Sequence, residues 1–557
     1  MVWIPTRLKA LYLMGAIRGT LQLRPRPRPR LRSRYSFLKI VCCWLLAVFC
    51  FFGFFLRVNA QTPENILIVG QIAEPKSMDP HAATALNDFR ILMNMYDGLV
   101  RYKPGTLEIE PALAKAWTIS KDGKYYTFTL RQGVKFHDGT EFTAEAVKFS
   151  FERMLDDTHP YHKTGPFPLA FFFSVVESVT VKGRYSVEFV LKEPFAPFLS
   201  NLAYPTGLIV SPAAVKKHGK AFGRQPVGTG AFQFAEWQGN QKVVITRNTA
   251  YWDSAPTLEA VIFRPITDAN TRVAEMLAGG IDLMVEVPPD NLAMFEKAKD
   301  VTVSQQTGPH VWFLILNMKH GPFKDKRMRQ AVNYAINKQA LVNNVLQDTA
   351  VIAAGPTPPV FTWAYNESLQ PYPYDPEKAR KLIKAAGYQG EKLTFYVTEG
   401  GSGMLEPVAM GTAIQADLAK VGLKVVIESY EWNTFLGKVN PGLGEKADMA
   451  EMAWMINDPD TLPYLALRTA AWPDKGGFNS GYYTNPEVDA LLKAARKTTD
   501  QAQRGQLYRK VQAIVHDDAP WAFIAHWQQN AVAHHSVKGF QLQPSFFLLL
   551  KDVQKQR

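Results

Sequence analysis

Cysteine is almost missing from this chain. Its three, Cys42, Cys43 and Cys50, all precede residue 51. A polypeptide beginning after that region has no thiol for disulfides, thiolate metal sites or nucleophilic catalysis. With 557 residues it can bury large cores without disulfide staples. The marks of common catalysts are missing too. Gly400-Gly401-Ser402-Gly403-Met404 fails as a nucleophile elbow at its last position. There is no H-E-x-x-H helix and no glycine-rich phosphate loop ending in Lys-Ser or Lys-Thr. His516, His526, His534 and His535 gather near the end of the chain. Adjacent residues of a strand point to opposite faces, so surface or core roles are expected for them rather than a metal site. A catalytic carboxylate pair is unsupported, because sequence alone cannot pair distant acids. No internal repeat or low-complexity tract is present after Ala60.

Charge imbalance is also missing from most of the chain. The formal net charge is +13, but eleven of the 63 basic residues lie in the first 60 positions, which contain no Asp or Glu. The remaining 52 basic residues face 50 acids. Basicity therefore belongs to a leader, and no nucleic-acid partner is implied. The leader has the order of an export signal: a basic run from Arg24 to Lys39, an apolar run from Ile40 to Leu56, then Val58-Asn59-Ala60. Cleavage is expected after Ala60. The alternative is an uncleaved anchor, since seventeen apolar residues sit at the lower edge of spanning length. Ala47-Val48-Phe49 before Cys50 is a poor lipid-attachment box.

Beyond the leader the chain alternates between strand and helix signals, the pattern of α/β construction. Tyr126–Leu130 and Val187–Leu191 alternate with period two and predict half-buried strands. Residues 393–398 and 423–427 predict more fully buried ones. Asp375-Pro376-Glu377 predicts a capped helix start with proline at the first turn, and Gly387 its end. Asn485-Pro486-Glu487 repeats the device, and Met328, Ala331, Val332 and Ala335 mark a third helix. Gly228-Thr229-Gly230 predicts a tight turn near a hinge, and residues 355–373 a proline- and aromatic-rich wrap over a surface.

Several segments together resemble the family-5 extracellular solute-binding proteins. They include Ala73-Glu74-Pro75-Lys76-Ser77-Met78-Asp79-Pro80-His81, Tyr96-Asp97-Gly98-Leu99-Val100, the stretch from Tyr126 to Gly139, Pro226–Phe232, Asp325–Asn337, Glu431-Trp432, Asp458-Pro459-Asp460 and Asp518-Ala519-Pro520. The match runs along essentially all of the chain after the leader. It implies an α/β, two-lobed periplasmic-binding-protein fold of type II, large class, with an extra small domain inserted. The implied partition is a leader at 1–60, a discontinuous first lobe at 61–97, 205–310 and 505–557, an inserted domain at 98–204, and a second lobe at 311–504. The implied role is the periplasmic solute-binding component of an ABC transporter. It would close on a small peptide-like, opine-like or related polar solute and dock on a permease whose ATPase is on separate chains. It would act as a monomer, without a cofactor. An extracytoplasmic hydrolase and a sensor or chaperone on the same scaffold are the alternatives.

The resemblance also nominates residues. Thr84 and Asn87 sit where the first lobe lines the cleft. Gly401 and Ser402 offer backbone N–H groups to oxygen-rich ligand atoms, or form a plain turn. Trp432 and Trp454 would be flat pocket walls or core. Asn457 can donate and accept toward a neutral ligand. Asp458 either reaches a ligand amine or, with Asp460, shapes the turn at Pro459. Peptide binders of the family carry an aspartate shortly after the tryptophan and, for dipeptides, an arginine in the second lobe. Here the amine position is Met455 or Asn457, and residues 399–407 contain no arginine. A free dipeptide is therefore expected to bind poorly.

Overall fold

The computed structural model describes residues 65–401 and 403–556. The leader, its cleavage point after Ala60, and Ser402 lie outside the described residues. A mixed sheet of twelve strands runs through the molecule, and a separate antiparallel sheet of four is inserted after its first strand. The order across the large sheet is 424–430, 392–398, 449–455, 310–316, 521–534, 283–285, 66–71, 260–265, 242–247, 232–238. Strands 301–307 and 350–352 also pair with 521–534.

Strand Trp521–His534 joins the two halves. Its first part pairs with His310–Leu316, from Trp521↔Ile315 to Ala525↔Trp312. Its last part pairs with Val301–Thr307, from Gln528↔Thr307 to His534↔Val301. Residues 301–316 likewise cross between the halves, broken only at Gly308-Pro309. Two neighbouring strands thus link two bodies, the arrangement that permits hinge motion. Side chains along these strands alternate between cores. Trp312, Leu314 and Leu316 enter one core, and Val311, Phe313 and Ile315 the core on the opposite face. In the other half Ala531 and Ala533 enter one core and Val532 the other. A strand covered on both faces is apolar throughout, which is why the whole of His310–Leu316 is buried.

The four-stranded sheet contains Ala114–Ile119, Tyr125–Leu130, Ser186–Leu191 and Val176–Gly183 in that order. Its alternation is as predicted: Tyr126, Phe128 and Leu130 are buried, as are Val187, Phe189 and Leu191. They share one core with Leu67, Val69 and Phe263 of the large sheet, so this domain is packed on the first half.

The helix signals also match. Asp375 caps the helix Pro376–Ala386 by accepting from the Lys378 amide at 2.8 Å, and Gly387 ends it at φ +77°. Asn485 caps Pro486–Lys497 through the Glu487 and Val488 amides. The segment 355–373 wraps the helix Gln501–Asp518, with Gln512 donating to the Ala364 carbonyl at 2.8 Å.

One strand differs from expectation. Lys424–Tyr430 is at the sheet edge, where only Val425 is buried and Val426 is 44% exposed. A short apolar run does not reveal whether a second neighbour covers it. The turn Gly228-Thr229-Gly230 also differs: it lies against the backbone of Met95, where a Cβ on Gly228 would come within 2.2 Å of the Met95 carbonyl oxygen. It therefore supports the entrance to the inserted domain, away from the crossing strands.

Candidate ligand cleft

A cavity of about 670 Å³ opens beside the crossing strands. This is within the few-hundred to thousand Å³ range of small-molecule sites. The first half supplies Thr84 and Asn87 from the start of the helix Leu86–Met95, and the turn Glu286-Val287-Pro288-Pro289. The second half supplies Gly401, Gly403 to Glu406 and Met455 to Asn457. Pro309 and Trp527, at the crossing, form its floor. Most of the wall is apolar, with Phe89, Tyr204, Met404, Leu405, Ile456 and Phe547 contributing.

The hinge and the glycine loop are tied together. His310 Nε2 donates to the Gly403 carbonyl at 2.7 Å, and its Nδ1 accepts from the Trp527 amide at 3.3 Å. The two bonds fix the neutral tautomer. His526 Nδ1 in turn donates to the His310 carbonyl at 2.8 Å. Burial lowers His310 to about 3 and His526 to about 4, because a charged imidazole there would lose its water.

Two of the charged groups lining the cleft, Glu286 and Arg272, are bonded within the protein, whereas Glu406 has no such bond among the described residues. Glu286, held at φ +54°, has its carboxylate 3.2 Å from the Arg90 guanidinium. Arg272 Nη1 donates to the Ile266 carbonyl at 2.7 Å, and burial lowers its pKa. Glu406 is exposed at the start of the helix Pro407–Lys420.

The nominated residues separate in space. Thr84, Asn87, Gly401 and Asn457 line the cleft. Trp432 and Trp454 do not; they line a separate, shallower recess of about 280 Å³ with Phe478. Trp432 stacks on Phe435 at 5.8 Å and backs the glycine loop, where a Cβ on Gly401 would come within 2.3 Å of its ring. That approach and the backbone φ of +155° both require glycine at 401. Asp458 is turned away from the cleft. It pairs with buried Arg504, and also accepts from Ser200 Oγ at 3.0 Å and the Asp460 amide at 2.9 Å. Asn457 Nδ2 donates to Asn201 Oδ1 at 2.7 Å, while its Oδ1 accepts from Thr461 Oγ1 at 2.8 Å. Residues 457 and 458 of the second half therefore grip 200 and 201 of the inserted domain. Glu286, Arg272, Trp527 and Phe547 were not legible as cleft residues; the Pro288-Pro289 pair after strand Leu283–Val285 was the one local signal.

Comparison with known proteins agrees with this architecture. Residues 108–475 match the family model described as bacterial extracellular solute-binding proteins, family 5 Middle. The di/tripeptide-binding protein 2 of Pseudomonas aeruginosa is 31% identical over 502 residues, covering 87% of this chain and 94% of the relative. Heme-binding protein A of Haemophilus influenzae is 34% identical, covering 81% and 85%. Among solved structures, HbpA2 from Haemophilus parasuis superposes with a TM-score of 0.82 at 29% identity, covering 88% of this chain and all of that one. The ABC transporter-associated periplasmic binding protein DppA from Helicobacter pylori, in complex with the peptide STSA, gives 0.73 at 32% identity, covering 88% and 98%. The chain belongs to family 5 of the bacterial extracellular solute-binding proteins, the periplasmic solute-capturing components of ABC importers.

Proposed function

We propose that the mature chain begins at Gln61 and closes, as a monomer, on a solute with a large apolar body and uncharged polar groups. It delivers that solute unchanged to an inner-membrane permease with separate ATPase subunits, and takes no part in nucleic-acid binding or catalysis. The observation that carries the ligand class is that no cation among the described lining residues is left for a ligand carboxylate, and that Glu406, exposed at the rim, is the one uncommitted carboxylate among them. Asp458 is held by Arg504, Glu286 by Arg90, and Arg272 by backbone carbonyls. Of the two residues at the amine-anchor position implied by the family resemblance, Met455 has no charge and Asn457 is occupied by Asn201 and Thr461. The apolar wall completes the argument. Relatives named for di/tripeptides and heme show that the family scaffold accepts bodies of very different size.

A zwitterionic dipeptide would bring a carboxylate into such a cleft without an uncommitted cation, and its amine would find only the exposed Glu406 at the rim. Each unpaired buried charge costs about 3–5 kcal/mol, or two to four orders of magnitude in affinity. Titration calorimetry on the mature chain with free dipeptides and the same peptides blocked at both ends tests the reading. Blocked peptides are expected to bind at least a hundredfold more tightly than free dipeptides. Submicromolar binding of a free dipeptide would overturn it.

A further inference from the structure

Behind the Tyr102–Phe547 wall of the cleft lies a second void of about 120 Å³. It shares Tyr102, Ser545 and Phe547 with the cleft, all three buried. Its inner lining is apolar, with Val100, Ala203, Leu208, Ala231 and Leu550. Exposed Pro104 and Asp552 mark the end away from the cleft. The charges that reach it are neutralised. Arg101 pairs with Glu110 and Asp253, and Lys551 with Asp253 and Asp552. Asp97 accepts from Tyr251, Thr229 and Trp252 at 2.8–2.9 Å. The void therefore suits an uncharged, apolar occupant.

Its size is informative. Protein interiors hold few voids larger than a water molecule. An apolar cavity of about 150 Å³ stays dry and accepts benzene. Of the three residues shared with the cleft, Phe547 is the apolar ring that could move to join the two spaces. Phe547 contacts Phe89 at 6.0 Å, Tyr204 at 5.8 Å and Tyr102 at 6.5 Å between ring centroids, and its side chain has no polar atom to bond. Swinging it aside breaks only dispersion contacts. The preceding Phe546 sits at φ +64° and presses on Gly308 of the crossing, where a Cβ would come within 1.9 Å of its ring.

We propose that this void is a second compartment of the solute site, taking an uncharged apolar substituent of about four carbons up to one aromatic ring, admitted when Phe547 swings aside. The proposal rests on the reading that the chain captures a solute in the main cleft. Each methylene transferred from water into it tightens binding about fourfold, so a four-carbon substituent contributes about two orders of magnitude.

The test uses benzene as probe on the mature chain, and then whatever compound mass spectrometry recovers from the purified wild-type protein. Ala203→Leu and Ala231→Leu each fill the void, and circular dichroism identifies which of them is folded. Wild type is expected to bind benzene in the void in soaked crystals, and the folded filled variant to lose it. The recovered compound is expected to carry an apolar substituent and to bind the filled variant at least about thirtyfold more weakly, most of the two orders of magnitude above. Benzene density absent from wild type, or unchanged on filling, overturns the proposal. So does a recovered compound held equally by both proteins, although solute capture would then stand. If neither protein retains or closes on any compound, capture itself fails and the compartment with it.

Discussion

Removing two side-chain bonds between the inserted domain and the second half should shift the ligand-free protein toward an open form. Ser200 Oγ donates to the Asp458 carboxylate at 3.0 Å, and Asn201 Oδ1 accepts from Asn457 Nδ2 at 2.7 Å. These contacts join the inserted domain to the second half beside the crossing, where Ile456 donates its amide to the Pro309 carbonyl at 2.8 Å, and opening of the cleft is expected to part them. A hydrogen bond to a charged acceptor contributes about 1.5–3 kcal/mol and a neutral one about 0.5–1.5 kcal/mol. The double variant Ser200→Ala/Asn201→Ala therefore loses about 2–4 kcal/mol of closure, a shift of about thirtyfold to several hundredfold in the open-to-closed ratio. Small-angle scattering of the ligand-free mature chain reads this as a larger radius of gyration. Asp458 keeps Arg504 and the Asp460 amide, while Asn201→Ala also removes the bond from Asn201 Nδ2 to the Phe172 carbonyl (2.7 Å), so circular dichroism checks that the inserted domain stays folded. An unchanged radius of gyration in a folded double variant would refute the reasoning.

Buried charge sets the remaining outcomes. Arg504→Met leaves Asp458 buried without its cation and should lower unfolding stability by about 3–5 kcal/mol, measured by urea denaturation. Adding Asp458→Asn to that variant should restore part of the loss. His310, His526 and His81 are held neutral by burial, the first at about 3 and the others at about 4. In the unfolded chain they take up protons below about pH 6.5. The unfolded state then binds more protons, so stability falls with acid between about pH 6.5 and 4, by about 1.4 kcal/mol per pH unit for each histidine. His310→Gln should reduce that slope by about one proton, and an unchanged slope in pH-dependent denaturation would contradict its neutral burial.

The elements were legible where local chemistry dictates them. The caps at Asp375 and Asn485 and the alternation of Tyr126–Leu130 involve only neighbours in sequence, and all are found. Lys424–Tyr430 was misread because burial depends on whether another strand lies beyond it, which its own residues do not encode. The cleft was half legible. Thr84, Asn87, Gly401 and Asn457 line it. Trp432 stacks on Phe435, Trp454 packs edge-to-face with Phe478, and Asp458 is held by Arg504, forty-six residues further along the chain. Phe547 comes from the far end of the chain. No spacing rule links such residues, because the crossing strands bring them together only in three dimensions.

The most direct test of the central claim combines native mass spectrometry and small-angle scattering on the mature chain with its recovered solute. Addition of the solute should shrink the radius of gyration, and the solute should be released with its mass unchanged after prolonged incubation. A radius that does not respond to the bound solute, or a released compound of altered mass, would contradict the account.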